Sequence, residues 1–408
     1  MTPTRRDATL LFVTRSTRLF AYGFLSIVFV LYLVRIGLGG PAIGLLLALT
    51  LLGDAGLSLW ITTQADRMGR RRMLLVGAAL MVAGGVAFLL TRRPELLMLA
   101  AIVGVISPSG NEIGPFLSIE QAALSQLVSD QQRTRVFAWY NLAGSAATAL
   151  GALAGGWLTR LAQQGGMSDL DSYRVLLACY AGAGVILAAL FTQLTPVVEA
   201  TPTASPVAGG SRFGLHRSRG VVARLSALFA LDAFAGGFVL QSVMVYWFHV
   251  RFGASTAALG SLFFGANLLA AVSALLAHRI AARFGLVNTM VFTHLPSNVM
   301  LILVPLMPNM ATAMCMLLAR YAISQMDVPT RQSYTMAVVA PDERAAAAGV
   351  TGIARSLGAG VAPVIGGAFL LSGSGVPFFV AGGLKIVYDL LLYRAFRQMP
   401  APTDPNPA

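Results

Sequence analysis

Asp66-Arg67-Met68-Gly69-Arg70-Arg71-Arg72, at 66–72, joins two apolar runs that are each long enough to cross a bilayer. Short loops this rich in arginine stay on the cytoplasmic side, so the turn fixes orientation as well as class. It also sets an acid, an arginine and a glycine where a moving helix bundle would lock and unlock.

The remainder of the chain has the same character. Of 408 residues, 56% are hydrophobic and 11% charged, with a mean hydropathy of +0.73. Soluble domains carry about 25% charge, so this is an integral membrane protein whose immediate partner is the lipid bilayer. Twelve spans of ~20 residues would take about 240 residues and leave short loops. A net charge of +13 would suit a nucleic-acid partner, but the arginines collect in alternate loops as a topology signal does. No nucleic acid is expected. Cys179 and Cys315 lie in separate apolar segments and are too few for a disulfide framework or a thiolate metal site. No metal and no cofactor are expected. Arg5, Arg6, Arg15 and Arg18 precede a hydrophobic run with no small-residue cleavage site, which reads as a first span and not a signal peptide.

The spans are expected at 16–36, 41–63, 73–91, 96–119, 136–159, 174–194, 221–247, 256–278, 287–307, 311–334, 346–371 and 376–396. With a cytoplasmic N-terminus the inner loops hold Arg67, Arg70, Arg71, Arg72, Arg133, Arg135, Arg212, Arg217, Arg219, Arg279, Arg283 and Arg344. The outer loops hold only Arg35, Arg92, Arg93, Arg160, Arg174 and Arg251. The bias places both termini in the cytoplasm of a cell with a bacterial-type plasma (inner) membrane. The expected organisation is an N-terminal six-helix half at 1–195, a cytoplasmic linker at 196–220, a C-terminal six-helix half at 221–398 and a disordered, Pro-rich tail at 399–408.

The two halves look like copies. A shift of about 214–216 positions brings Arg18–Phe24 onto Asp232–Phe238, Arg35-Ile36-Gly37 onto Arg251-Phe252-Gly253, 65–69 onto 281–285, and Pro115 onto Pro329. Internal repeats of this kind mark secondary transporters, with the substrate site near the midplane between the repeats.

At this point the residues meet a known pattern. Thr62-Thr63-Gln64-Ala65-Asp66-Arg67-Met68-Gly69-Arg70-Arg71 resembles the loop signature of the major facilitator superfamily, Gly-x-x-x-Asp-Arg-x-Gly-Arg-Arg, with Thr62 in place of the first glycine. The resemblance implies an all-α membrane protein: twelve transmembrane helices in two pseudo-symmetric six-helix bundles, acting as a monomer. It implies a cytoplasmic gate at Asp66, Arg67, Gly69 and Arg70, with Arg67 able to pair with Asp130, that holds the outward-facing state. Ala362-Pro363-Val364-Ile365-Gly366-Gly367 in span eleven resembles a Gly-Pro-x-x-Gly-Gly motif. The family's antiporter branch carries that motif in span five, where this chain has Gly151-Ala152-Leu153-Ala154-Gly155-Gly156 without the proline. The arginine that many family antiporters carry in span four has no counterpart at 102–108.

An ionisable side chain at mid-bilayer costs roughly 2.5–3.5 kcal/mol on insertion scales, so each one is a functional candidate. Asp54 lies twelve residues before Asp66, about 18 Å along a helix, and is placed to carry a proton. Span four holds Ser107-Pro108-Ser109-Gly110-Asn111-Glu112-Ile113-Gly114-Pro115; its prolines and glycines should break the helix and free backbone groups beside Asn111 and Glu112. In span ten, Arg320, Ser324, Asp327 and Arg331 fall at i, i+4, i+7 and i+11, on one face of a continuous helix. Arg320 there would bind an anionic group or neutralise Asp327. Arg355 in span eleven is a second buried cation, placed to partner Asp327 or Asp54. Asp232 aligns with Arg18, so the two would pair between the halves or each within its own. Lys385 and Asp389, at i and i+4, read as a structural ion pair. His294 reads as a satisfied interfacial histidine, and Trp60, Trp139, Trp157 and Trp247 as an aromatic belt.

No Gly-x-x-x-x-Gly-Lys-Ser/Thr loop is present, so energy is expected from a gradient, with protons as the coupling partner. The leading expectation is a secondary transporter that exports a small amphipathic or toxic compound. The alternatives are a proton-coupled importer of a polar or anionic metabolite, suggested by Arg320, Arg331 and Arg355, and a transport-dead membrane sensor. No nucleophile–base pair suggests an enzyme.

Overall fold

A computed structural model describes residues 3–112, 114, 116–199 and 215–398. The tail at 399–408 and most of the expected linker at 196–220 lie outside them. The described residues form helices and no strand: α1 (Pro3–Arg35), α2 (Gly40–Met68), α3 (Arg70–Leu90), α4 (Pro94–Val103), α5 (Phe116–Leu127), α6 (Asp130–Gln164), α7 (Asp169–Phe191), α8 (Arg219–Gly237), α9 (Gln241–Phe252), α10 (Thr256–Phe284), α11 (Leu286–Leu303), α12 (Met310–Ser324), α13 (Asp327–Val338), α14 (Arg344–Leu370) and α15 (Val376–Phe396).

These helices make twelve spans. Nine described spans are long and apolar enough to cross a membrane, with α8 and α9 together forming one of them. The more polar α6 is the fifth span, and spans four and ten are each broken in two. Span four unwinds between Val103 and Phe116, where Gly110 and Gly114 take positive φ of 69° and 87°. Span ten breaks between Ser324 and Asp327, because the ring of Pro329 clashes with the carbonyl of Gln325 and supplies no N–H to it. The expected four-residue stripe on one unbroken helix therefore runs across a break.

The chain divides into two compact units. One holds Met1–Ala204 with Leu240–Phe264; the other holds Ser205–Val239 with Gly265–Ala408. The units depart from simple chain order at α9 and the first turns of α10, which belong with the first unit. There the Gln241 side chain donates to the Ser26 hydroxyl at 2.7 Å, and the Ser242 amide donates to the Pro108 carbonyl at 3.1 Å.

Small residues let the helices meet. A Cβ on Gly23 would fall 2.2 Å from the Thr148 carbonyl oxygen, and one on Gly151 would fall 2.1 Å from that of Phe20, so α1 and α6 touch backbone to backbone. In the second unit Gly358 stands in the same relation to Ala230, which packs α14 on α8. The glycines of the proline-less motif in span five thus have a packing role. In the second unit, Leu225, Phe229, Met290, Tyr334 and Tyr388 belong to a buried apolar cluster. Trp60, Trp139 and Trp157 are exposed as belt residues should be. Trp247 is not; it is buried against Phe248 and Phe252.

Candidate functional site

In the first unit, α1 carries Arg18 onto span four. Arg18 is fully buried and is held by two carboxylates. Its Nε donates to Glu112 Oε1 at 2.8 Å, while Nη1 and Nη2 donate to Glu120 Oε1 and Oε2 at 3.0 and 2.8 Å. Arg15, one turn earlier, reaches Glu112 Oε2 at 3.4 Å and lies over the ring of Tyr140. Glu120 accepts further bonds from Thr14 at 2.8 Å and Tyr140 at 2.5 Å. Two arginines and two glutamates therefore balance. The break in span four makes this possible, because it swings Glu112 out of helical register and toward α1. Asn111 is exposed, and its backbone carbonyl accepts from Ser107 at 2.8 Å.

Asp54 stands apart from that balance. Gly53 lets α2 press on span four, since a Cβ there would fall 2.3 Å from the Ile102 carbonyl oxygen. This brings the half-buried Asp54 beside the Gly114 amide and 3.5 Å from the Ser58 hydroxyl, both neutral. Among the described residues, it is the one membrane-embedded carboxylate with no arginine, lysine or histidine within ion-pair distance.

The 66–72 turn is tight, with Gly69 at φ +99°. The side chains of Asp66 and Asp130 lie outside the described residues, and the expected Arg67–Asp130 contact with them. Arg67 is exposed. Glu199, after α7, caps the start of α3: it accepts from the Arg70 amide at 2.6 Å and the Arg71 amide at 3.3 Å, where a helix N-terminus favours an anion. Glu343 does the same for the segment entering α8, accepting from the amides of His216, of Arg217 at 2.7 Å and of Ser218 at 2.8 Å. The Ser218 side chain and these amides hold the Glu343 carboxyl down at about 2.

In the second unit the hub is Asp232 on α8. Lys385 Nζ lies 2.5 Å from its carboxylate, Arg331 Nη1 3.0 Å, Arg355 Nη1 3.7 Å and His294 Nε2 3.9 Å. Arg331 also pairs with Asp327 at 3.1 Å. Asp389 accepts from His294 Nδ1 at 2.8 Å and Asn298 at 2.9 Å.

Several expectations need correcting. Lys385 pairs with Asp232 and not with Asp389. Of the two pairings open to Arg18 and Asp232, the one within each unit is seen: Arg18 with Glu112 and Glu120, Asp232 with Lys385 and Arg331. Arg355 has its ion-pair contact with Asp232, in the same network as Asp327. His294 sits between Asp389 and Asp232, inside the network. Glu120 falls just past the expected fourth span, Tyr140 near the start of the fifth and Glu199 in the expected linker, so none of them stands out as a membrane charge in the sequence. The arginine-rich face of α1, which needs acids opposite it, points toward Glu120 alone.

Arg320 and Ser324 are buried like Asp327 and Arg331 but do not join them. Arg320 has no carboxylate within ion-pair distance among the described residues; its polar neighbour is the adjacent, neutral Tyr321. Its Nε and the Ser324 hydroxyl have no hydrogen-bond partner among the described residues.

The sequence profile of the Major Facilitator Superfamily matches residues 11–326. The chain is similar to the uncharacterized membrane protein YJR124C of Saccharomyces cerevisiae, at 30% identity over 95% of this chain and 93% of that protein. It is similar to the multidrug resistance protein MdtH of Proteus mirabilis at 28% identity, over 44% of this chain and 41% of that protein. Among solved structures it resembles a bacterial homologue of the human lysosomal transporter Spinster, inward-facing and unoccupied. That match has a TM-score of 0.76 and 14% identity, and covers 100% of both chains. At that identity the likeness speaks to the fold.

Proposed function

The chain belongs to the Major Facilitator Superfamily, and we propose that within it the protein is a proton-coupled exporter of a small amphipathic or toxic compound. It works by alternating access of its two six-span halves, as a monomer with both termini in the cytoplasm. The observation that carries this reading is the isolation of Asp54. The other described membrane acids have basic partners, and an unpartnered buried charge is expensive. A carboxylate can shed that cost by taking a proton, and this is what a proton carrier must do. Glu112, next to the same break, is tied to Arg15 and Arg18, so it serves as a fixed scaffold.

Export is favoured over import by the 66–72 signature and by the similarity to MdtH, whose name describes multidrug resistance. Reconstitution of the full chain in proteoliposomes tests the proposal. A pH gradient should drive flux of at least one member of a panel of cationic, neutral and anionic dyes, and a protonophore should collapse it. The absence of any gradient-driven flux, together with Asp54→Asn and Asp327→Asn variants that behave as wild type, would overturn the reading.

A further inference from the structure

Among the described residues, the buried cations of the second unit each have a carboxylate within ion-pair distance except for one. Arg331, Arg355 and Lys385 stand with Asp232, Arg331 also with Asp327, and His294 with Asp389. Arg320 is left over. It is 8% exposed and lies ten residues from the start of α12, about 15 Å along the helix and so about half a bilayer deep. Asp54 in the first unit can become neutral by taking a proton. Arginine cannot lose one in a protein, so Arg320 keeps its charge and can be compensated only by an anion. Ser324 is one turn along the same face and 3% exposed, with a hydroxyl free to donate.

Resting on the transport reading above, we propose that Arg320 and Ser324 bind the acidic group of the cargo, which is therefore an amphipathic organic anion: a carboxylate, sulfonate or phosphate monoester. The guanidinium offers parallel N–H donors that match such a group, and the serine adds a third. The buried setting makes the contact selective, because a neutral amide analogue would leave the arginine uncompensated.

The test uses the purified full chain and a panel of aromatic carboxylates, sulfonates and phosphate monoesters, each paired with its neutral amide or ester. Binding is read by ligand-induced thermal stabilisation, independently of flux. At least one anion should stabilise the wild type while its neutral partner does so about ten-fold more weakly or less. Arg320→Gln should weaken that anion by about ten-fold or more and leave the neutral partner unchanged, Ser324→Ala should weaken it less, and Arg320→Lys should fall between wild type and Gln. Empty Arg320→Gln protein should be as stable as wild type or more so, since it loses an uncompensated charge. Anion and amide moving together in Arg320→Gln, or no anion preferred by the wild type, would overturn the proposal. So would a marked loss of stability in the empty variant, which would make Arg320 a structural cation. Anion binding without gradient-driven flux would support the site while removing the transporter reading beneath it.

Discussion

Arg18 Nη2 stands 2.8 Å from Glu120 Oε2, and neither side chain is exposed at all. This pair ties α1 to the lower part of span four. Removing one partner leaves the other charged and buried, which costs about 3–5 kcal/mol. Glu120→Gln should therefore lower the thermal stability of the detergent-purified protein sharply. The double variant Arg18→Met/Glu120→Leu should be less damaged than the sum of the singles, because it removes one cation and one acid together and leaves Glu112 with Arg15.

Lys385 and Asp232 give a second stability test that discriminates between sequence spacing and observed geometry. A double-mutant cycle of Lys385→Met with Asp232→Asn should show a coupling of about 0.5–3 kcal/mol. The same cycle of Lys385→Met with Asp389→Asn should show a smaller one, since Asp389 is held by His294 and Asn298. Unfolding midpoints for the wild type and the five variants decide it.

Gly151 meets the Phe20 carbonyl so closely that even a methyl group must push α1 away from α6. Gly151→Ala should destabilise by about 1–3 kcal/mol. Gly56, with nothing near its missing Cβ, is the control: Gly56→Ala should be neutral or slightly stabilising.

Glu343 makes the stability of the connection between α13 and α14 depend on pH. Its carboxyl is held at about 2, below the ordinary 4.5, so the folded state prefers it ionised. The stabilisation is complete above about pH 4.5 and is lost as pH falls toward 2. The gap in unfolding midpoint between wild type and Glu343→Gln should be constant from pH 7 down to about 5, then close progressively with further acid. A gap that widens with acid would reverse the sign.

Much of this architecture is legible in the residues. The prolines and glycines at 107–115 announce the break in span four, because their effect on a helix is local and needs no partner. The 66–72 turn and the repeat give the fold for the same reason: both are patterns along the chain. The charge network was legible only as a parts inventory. Spacing says which side chains share a helix face, so it offered Lys385 with Asp389; the packing of α8 on α15 chose Asp232 instead. Arg320 and Asp327 share a face on an ideal helix, yet Pro329 breaks that helix between them. Asp54 was visible from its depth, but its isolation became visible only once the other acids were paired.

In the proposed cycle Asp54 is the residue that carries the proton. Proteoliposomes loaded with a pH-sensitive dye and given a gradient of a transported compound report proton movement driven by the cargo. Wild type should move protons against the cargo flow, and Asp54→Asn should move none while still exchanging labelled for unlabelled cargo. An Asp54→Asn protein that moves protons as wild type does would contradict that role.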